Sequence, residues 1–264
     1  MTSFDDSSKV AVDEGVLRIT ISTAANGTSL DSAGLVQGVA ALTSAGPEIG
    51  SVLLVGEGSN FCAGGNVREF AAAPDRSRLV GAVARSFHDF VRALDNASVP
   101  VVAGVHGWAA GAGMSLVCLA DVAIGGPGTK LRPAYPSIGF TPDGGMSWTL
   151  PRIVGTGRAS EILLNDSVIG GDEAVRLGIL ARLVGDDEVQ EEAARLARSL
   201  ANGPSSSHAG IKALLRGART NSLSEQLDAE AASISVAADS PVGREGVDAF
   251  VEKRRPDWSA AKQQ

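Results

Sequence analysis

Two short runs of small residues in this chain occupy positions where backbone amides, not side chains, could do chemistry. Gly111-Ala112-Gly113 lies between residues 99–105, a β-branched run read as a buried strand, and residues 114–120, an apolar stretch read as a helix. A strand handed to a helix through glycine leaves N–H groups uncovered at the positive end of the helix dipole, which suits an oxygen anion. Ala63-Gly64-Gly65-Asn66 follows a second buried strand, residues 51–55, so the two turns could each offer one N–H to a single oxygen. Small residues also serve as spacers for close packing, and a lone Gly-Ala-Gly has that simpler use. A third turn, Pro142-Asp143-Gly144-Gly145, carries a carboxylate, although Pro-Asp-Gly is favoured turn chemistry in its own right.

The remaining reactive side chains narrow the function by exclusion. His88 sits beside Phe87 on a helical pattern, where an imidazole commonly packs or stays half exposed. His106 and His208 lack partners at metal-ligand spacing, so no metal site is expected. Cys62 and Cys118 are too few for a disulfide framework and form no CxxC, which fits a reducing cytoplasm. A net charge of −7 argues against a nucleic-acid surface, so any anionic ligand must be met by local groups. Residues 1–8 include Asp5 and Asp6 and no apolar stretch, which is not the pattern of a signal segment. The most apolar window, residues 107–120, falls short of the ~20 residues of a membrane span.

The elements that must hold the three turns alternate along the chain. Residues 16–21 read as a strand, Asn26-Gly27 as a turn, and Asp31 or Ser32 as the cap of a helix presenting Leu35, Val39 and Leu42, closed by Pro47. Residues 79–97 carry Val80, Val83, Phe87, Phe90, Val91 and Leu94 at helical spacing; residues 121–124 resume a strand, and Leu131 lies in a short extended piece. Strand and helix in alternation imply a layered α/β fold. After the turn-rich residues 138–145, an apolar segment runs to Leu150, where Pro151 is expected to stop it. Helical patterns then dominate, and Gly203-Pro204-Ser205 marks a candidate boundary between a core, residues 1–202, and a helical tail, residues 203–264. Such a tail serves oligomer contacts, covers a site or completes the core.

Phe61-Cys62-Ala63-Gly64-Gly65-Asn66-Val67, the stretch 107–121, Ile138-Gly139-Phe140-Thr141-Pro142-Asp143-Gly144-Gly145, Leu150-Pro151-Arg152 and the stretch 244–256 together resemble the crotonase (enoyl-CoA hydratase/isomerase) superfamily. The resemblance covers nearly the whole chain in order and spacing. It implies an α/β spiral of repeated ββα units with a C-terminal helical region that builds trimers, often dimers of trimers. It implies an acyl-CoA substrate, with no cofactor beyond the CoA that the substrate carries, and an enolate held at backbone N–H groups matching Gly65 and Ala112. Substrate contacts are implied at Ala63, Asn66, Val67, Arg68, Tyr135, Phe250 and Lys253, with Arg68 and Lys253 as candidates for the CoA phosphates.

Departures from the family pattern shape the expected reaction. Asn66 stands where the first motif usually has Asp, and Ala112 replaces a usual glycine, which requires a negative φ there. Ser115 and Tyr135 occupy the positions of the two glutamates that activate water in hydratases, and neither is a carboxylate base. Asp143 matches the catalytic aspartate of the ring-epoxide and enoyl-CoA isomerase branch typified by the phenylacetate pathway. The expected activity is therefore a double-bond shift in an enoyl-CoA with Asp143 as the single base. The alternatives are an enoyl-CoA hydratase of β-oxidation, a non-catalytic acyl-CoA binder, and a thioester dehalogenase or hydrolase that pairs Asp143 with His88.

Overall fold

The structure, a computed structural model, describes residues 8–261. The segment read as lacking a signal pattern lies outside these residues apart from Ser8. β1 (Val10–Asp13) turns onto antiparallel β2 (Val16–Ser22), with Asp13 opposite Val16. α1 (Ser32–Thr43) follows, capped by the Asp31 carboxylate, which accepts the Gly34 N–H at 2.9 Å. β3 (Ser51–Gly56) lies parallel to β2 and is buried at all six residues, as expected of a parallel strand covered on both faces. Then come α2 (Val67–Ala72), α3 (Arg76–Asn96) and β4 (Val101–Val105).

From β4 the chain steps between two sheets. β5 (Trp108–Ala110) leaves the first sheet, α4 (Ala112–Leu119) returns the chain, and β6 (Val122–Gly125) pairs parallel with β4. β7 (Lys130–Arg132) goes back to pair with β5, followed by α5 (Met146–Val154) and α6 (Thr156–Leu164). β8 (Ile169–Gly170), α7 (Gly171–Arg176) and β9 (Arg182–Leu183) complete the sheets. The larger sheet has the order β1-β2-β3-β4-β6-β9 and the smaller β5-β7-β8. Strand in one sheet, strand in the other, then helix is the repeating unit, and the isolated bridge of Cys62 to Ala109 lets the β3 segment follow the same rule.

α8 (Val189–Ala201) covers one face of the larger sheet, setting Ala193, Ala197 and Ala201 against Val16, Leu53, Val55 and Val102. The opposite face builds the main core, into which α3 delivers Phe87, Phe90 and Leu94. Four helices end the described chain: α9 (Ser205–Gly217), α10 (Leu223–Asp239), α11 (Pro241–Val251) and α12 (Trp258–Ala261). Lys212 of α9 ties this region to the core through the Asp121 carboxylate and the Val99 carbonyl, the latter at 2.9 Å.

One local expectation is corrected and one strand is added. Pro151 does not stop the helix: α5 runs through it to Val154. An interior proline costs about 3 kcal/mol, while burying Met146 and Leu150, both at 0% exposure, returns roughly 1.5–3 kcal/mol for each. Residues 108–110 form a strand that the sequence did not mark, with Trp108 paired to Lys130 and Ala110 to Arg132 in the second sheet. Backbone groups there find partners far along the chain, which no local pattern announces.

Candidate active site

The bridge between sheets brings the two glycine turns together. Cys62 N–H donates to the Trp108 carbonyl at 3.1 Å and Ala110 N–H to the Cys62 carbonyl at 2.9 Å. Gly64 (φ 92°) and Gly111 (φ 53°) take backbone conformations that side chains disfavour, and a Cβ on Gly111 would lie 3.7 Å from the Gly64 Cα. The turns are therefore close enough that a side chain on Gly111 would touch Gly64. Ala112 opens α4 with the negative φ that an alanine requires, and its N–H has no acceptor within the helix. Among the described residues neither this N–H nor that of Gly65 donates a hydrogen bond. Two free donors on the wall of one cavity, one of them at a helix start, can receive the oxygen of a developing anion.

Asp143 reaches the same place from the turn before α5. Its Oδ1 accepts the Tyr135 hydroxyl at 2.7 Å, and the Tyr135 oxygen lies 3.2 Å from Ser115 Oγ. Ser115, fully buried on α4, also approaches the Asp143 carbonyl at 3.1 Å and the Gly111 carbonyl at 3.3 Å. Tyr135 spends its one proton on the carboxylate, so the single proton of Ser115 is left for the Tyr135 oxygen or one of the two carbonyls. Burial, and then the charge of Asp143, push the Tyr135 phenol upward, so it stays protonated and acts as a donor near neutral pH. The positions matched to the hydratase glutamates thus hold Asp143 in place.

These groups open on a cavity of about 470 Å³. Ala63, Gly65, Val67, Ala112, Tyr135 and Asp143 line it as the sequence suggested, and Asp143 is the only carboxylate on its wall among the described residues. The rest of the wall is apolar: Phe70 and Phe140 stack with ring centroids 6.4 Å apart, and Val80, Val83 and Phe87 come from α3. The helical spacing of those α3 residues was legible, but it reads as a core face and not as a cavity wall. Phe70, a lone aromatic on a six-residue helix, carries no pattern that marks it in the sequence.

Other candidates stand elsewhere. Asn66 caps α2, its Oδ1 accepting the Glu69 N–H at 3.3 Å, and with Arg68 it lies off the cavity wall. Phe250, 85% exposed, and Lys253 at the end of the α11 region do not reach the cavity either. His88 lies behind the Asp143 turn with its Nε2 accepting the Gly144 N–H at 3.2 Å, so the ring braces the turn and has no face on the cavity. His106 is held between the Gly58 carbonyl at 3.0 Å and Gln190 at 2.8 Å. Burial pushes the thiols of Cys62 and Cys118 up to about 12, which leaves both unreactive near neutral pH. Among the described residues no cluster of His, Cys, Asp or Glu could hold a metal ion, and no helix is long and apolar enough to cross a membrane.

Comparison with known proteins identifies the family. The profile of the family described as "Enoyl-CoA hydratase/isomerase" matches residues 11–262. A "Probable enoyl-CoA hydratase" of Rhodobacter capsulatus is 34% identical over 248 residues, which span 94% of this chain and 96% of that protein. The 1,2-epoxyphenylacetyl-CoA isomerase of Escherichia coli (strain K12) is 36% identical over 213 residues, or 79% of this chain and 80% of that one. The crystal structure of an enoyl-CoA hydratase from Polaromonas sp. JS666 superposes with a TM-score of 0.88 at 32% identity, covering 94% of this chain and 98% of that chain. With the family profile matching residues 11–262 and relatives 34–36% identical over most of its length, this chain belongs to the enoyl-CoA hydratase/isomerase family.

Proposed function

We propose that the protein moves a carbon–carbon double bond within an enoyl-CoA thioester, with Asp143 as the single shuttling base. The observation that carries this reading is that Asp143 is the only carboxylate lining the cavity among the described residues. In a 3-enoyl-CoA the α-carbon is acidified by both the thioester and the alkene. The Asp143 carboxylate takes the α-proton, the electron pair moves toward the thioester oxygen, and the resulting dienolate is held by the N–H groups of Gly65 and Ala112. The same carboxyl group returns the proton at the γ-carbon, which gives the 2-enoyl-CoA and restores the base. No water is consumed and no cofactor is needed. The acyl chain is proposed to lie against Phe70, Phe87 and Phe140, with CoA directed to solvent.

Replacement of Asp143 by Asn tests the proposal. The amide keeps the size and can still accept from Tyr135, yet it cannot take a proton from carbon. Conversion of 3-enoyl-CoA to 2-enoyl-CoA should fall by at least ~10²-fold with thioester binding kept. Near-native turnover would sink the mechanism. The relative named a probable hydratase favours a second reading, addition of water to 2-enoyl-CoA. Formation of 3-hydroxyacyl-CoA faster than any isomerisation would decide for it.

Assembly is proposed to follow from the C-terminal helices. Leu227, Ile234 and Val236 of α10 and Val247 and Phe250 of α11 are each more than half exposed, a pattern that self-association into trimers would cover. A monomer by sedimentation at micromolar concentration would overturn this. A cytoplasmic location is proposed from the two free, buried thiols.

A further inference from the structure

Two residues near the cavity hold left-handed backbone without being glycine, and they are bonded to each other. Ala134, on the cavity wall, has φ 61°, and Asp166, after α6, has φ 52°. Aspartate tolerates this conformation moderately well and alanine poorly. The Ala134 N–H is pinned to Asp166 Oδ1 at 2.6 Å, while Asp166 Oδ2 takes the Arg132 guanidinium through Nε at 3.0 Å and Nη2 at 2.6 Å. Only 10% of the Asp166 side chain is exposed.

Both halves of the site depend on the strand end that this carboxylate grips. The Arg132 carbonyl accepts the N–H of Gly111, at 3.0 Å, and so fixes the residue just before Ala112. Ala134 immediately precedes Tyr135, whose hydroxyl holds Asp143. We infer that Asp166 is a positioning residue for the reaction: through Arg132 and Ala134 it sets the spacing between the N–H pair and the Asp143 carboxylate. The inference rests on the function proposed above. Although burial opposes ionisation, the Arg132 and Ala134 hydrogen bonds outweigh it and hold the Asp166 carboxyl below its usual range, so the grip is charged near neutral pH. Strain kept at a site that its surroundings over-determine is a pointer to function.

Two substitutions test it. Asp166→Gly keeps a residue suited to φ 52° and deletes the carboxylate; Asp166→Asn keeps the shape and removes the charge. Each should lower kcat for the double-bond shift by about 10- to 100-fold, the scale of a slight misplacement of reacting groups, with KM within threefold. Ala134→Gly added to either variant should recover part of the rate, because glycine accepts φ 61° without being pinned. A purely structural role predicts no such rescue. A second readout needs no turnover: a conjugated dienoyl-CoA bound at the N–H pair should absorb at longer wavelength, and the shift should shrink in both Asp166 variants. Either folded variant with kcat within twofold of native and an unchanged shift overturns the inference. Asp143→Asn, run in parallel, separates the two failures. If it stays active the single-base reading fails, while the dienoyl-CoA shift still judges Asp166. If the native protein shows no shift at all, the donor pair and this inference fall together.

Discussion

Replacing Ala112 by proline removes one hydrogen atom from the centre of the site and should disturb little else. Ala112 is the first residue of α4, where a proline ring suits the helix and the missing N–H would have no intrahelical partner. The residue before a proline must avoid the α region, and Gly111, at φ 53° and ψ −119°, already lies outside it. No hydrogen bond within the protein is lost, so thermal stability should change by a few degrees at most. The developing oxyanion, however, keeps only the Gly65 donor. Loss of one of two such donors costs about 2.7–4 kcal/mol of transition-state stabilisation, so kcat should drop by ~10²–10³ while KM moves much less. The assay is the rise in ultraviolet absorbance as a 3-enoyl-CoA becomes conjugated, with Ala112→Gly as a control that keeps the donor and should keep most of the rate. A folded proline variant within twofold of native kcat would refute the oxyanion assignment.

Tyr135→Phe deletes the donor to Asp143 Oδ1 but keeps the ring on the cavity wall; hydrogen bonds to charged groups are worth about 1.5–3 kcal/mol, so kcat should fall roughly 10- to 100-fold with KM nearly unchanged. Equal losses in binding and rate would show that the phenol acts on the substrate. In the tail, bonds from Arg254, and then from the Asp257 N–H, lower the Glu245 carboxyl from 4.5 to about 2. Its folded value is depressed, so its contribution is complete above the unfolded value of 4.5 and vanishes as pH falls through about 2. Glu245→Gln should therefore lower Tm at pH 6, by an amount that shrinks as pH falls from 4.5 toward 2; a Tm difference independent of pH would contradict the assignment.

The parts of this site that local chemistry determines were readable in the chain. Apolar runs before Ala63-Gly64-Gly65 and Gly111-Ala112-Gly113 mark both strand ends, and the glycines mark where the chain must turn tightly, so the donor pair followed. The Asp31 cap and the buried face of α3 were equally local. Pairing across the chain was not. β5 has three residues, too few for alternation to show, and its partner β7 lies some twenty residues on. Pro151 misled because its cost is local while the burial that offsets it is tertiary. Phe250 and Lys253 fit a family motif, yet where a tail helix lies relative to a cavity depends on packing that no motif spacing encodes. Asp166, twenty-three residues beyond Asp143, had no signal at all, because only the fold brings its carboxylate to Ala134.

The corner where α4 meets the Asp143 turn bears on the single-base reaction proposed for this site. Activating water would ask for a second carboxylate, and the natural place is Ser115, which is fully buried and makes its contacts to Tyr135 and the Gly111 and Asp143 carbonyls between 3.1 and 3.3 Å. A glutamate there would bring a second negative charge next to Asp143 and face two carbonyl oxygens with no donor of its own. Like charges in a buried corner force one group to stay protonated, so the pair could not both work as bases without rebuilding the surroundings of Tyr135. Serine and tyrosine avoid that conflict: Tyr135 donates to the single carboxylate, and Ser115 adds no charge beside it. The same N–H pair that would serve either reaction is thus coupled to a corner arranged around one charge, and a lone base that takes a proton at one carbon and returns it at another needs nothing more.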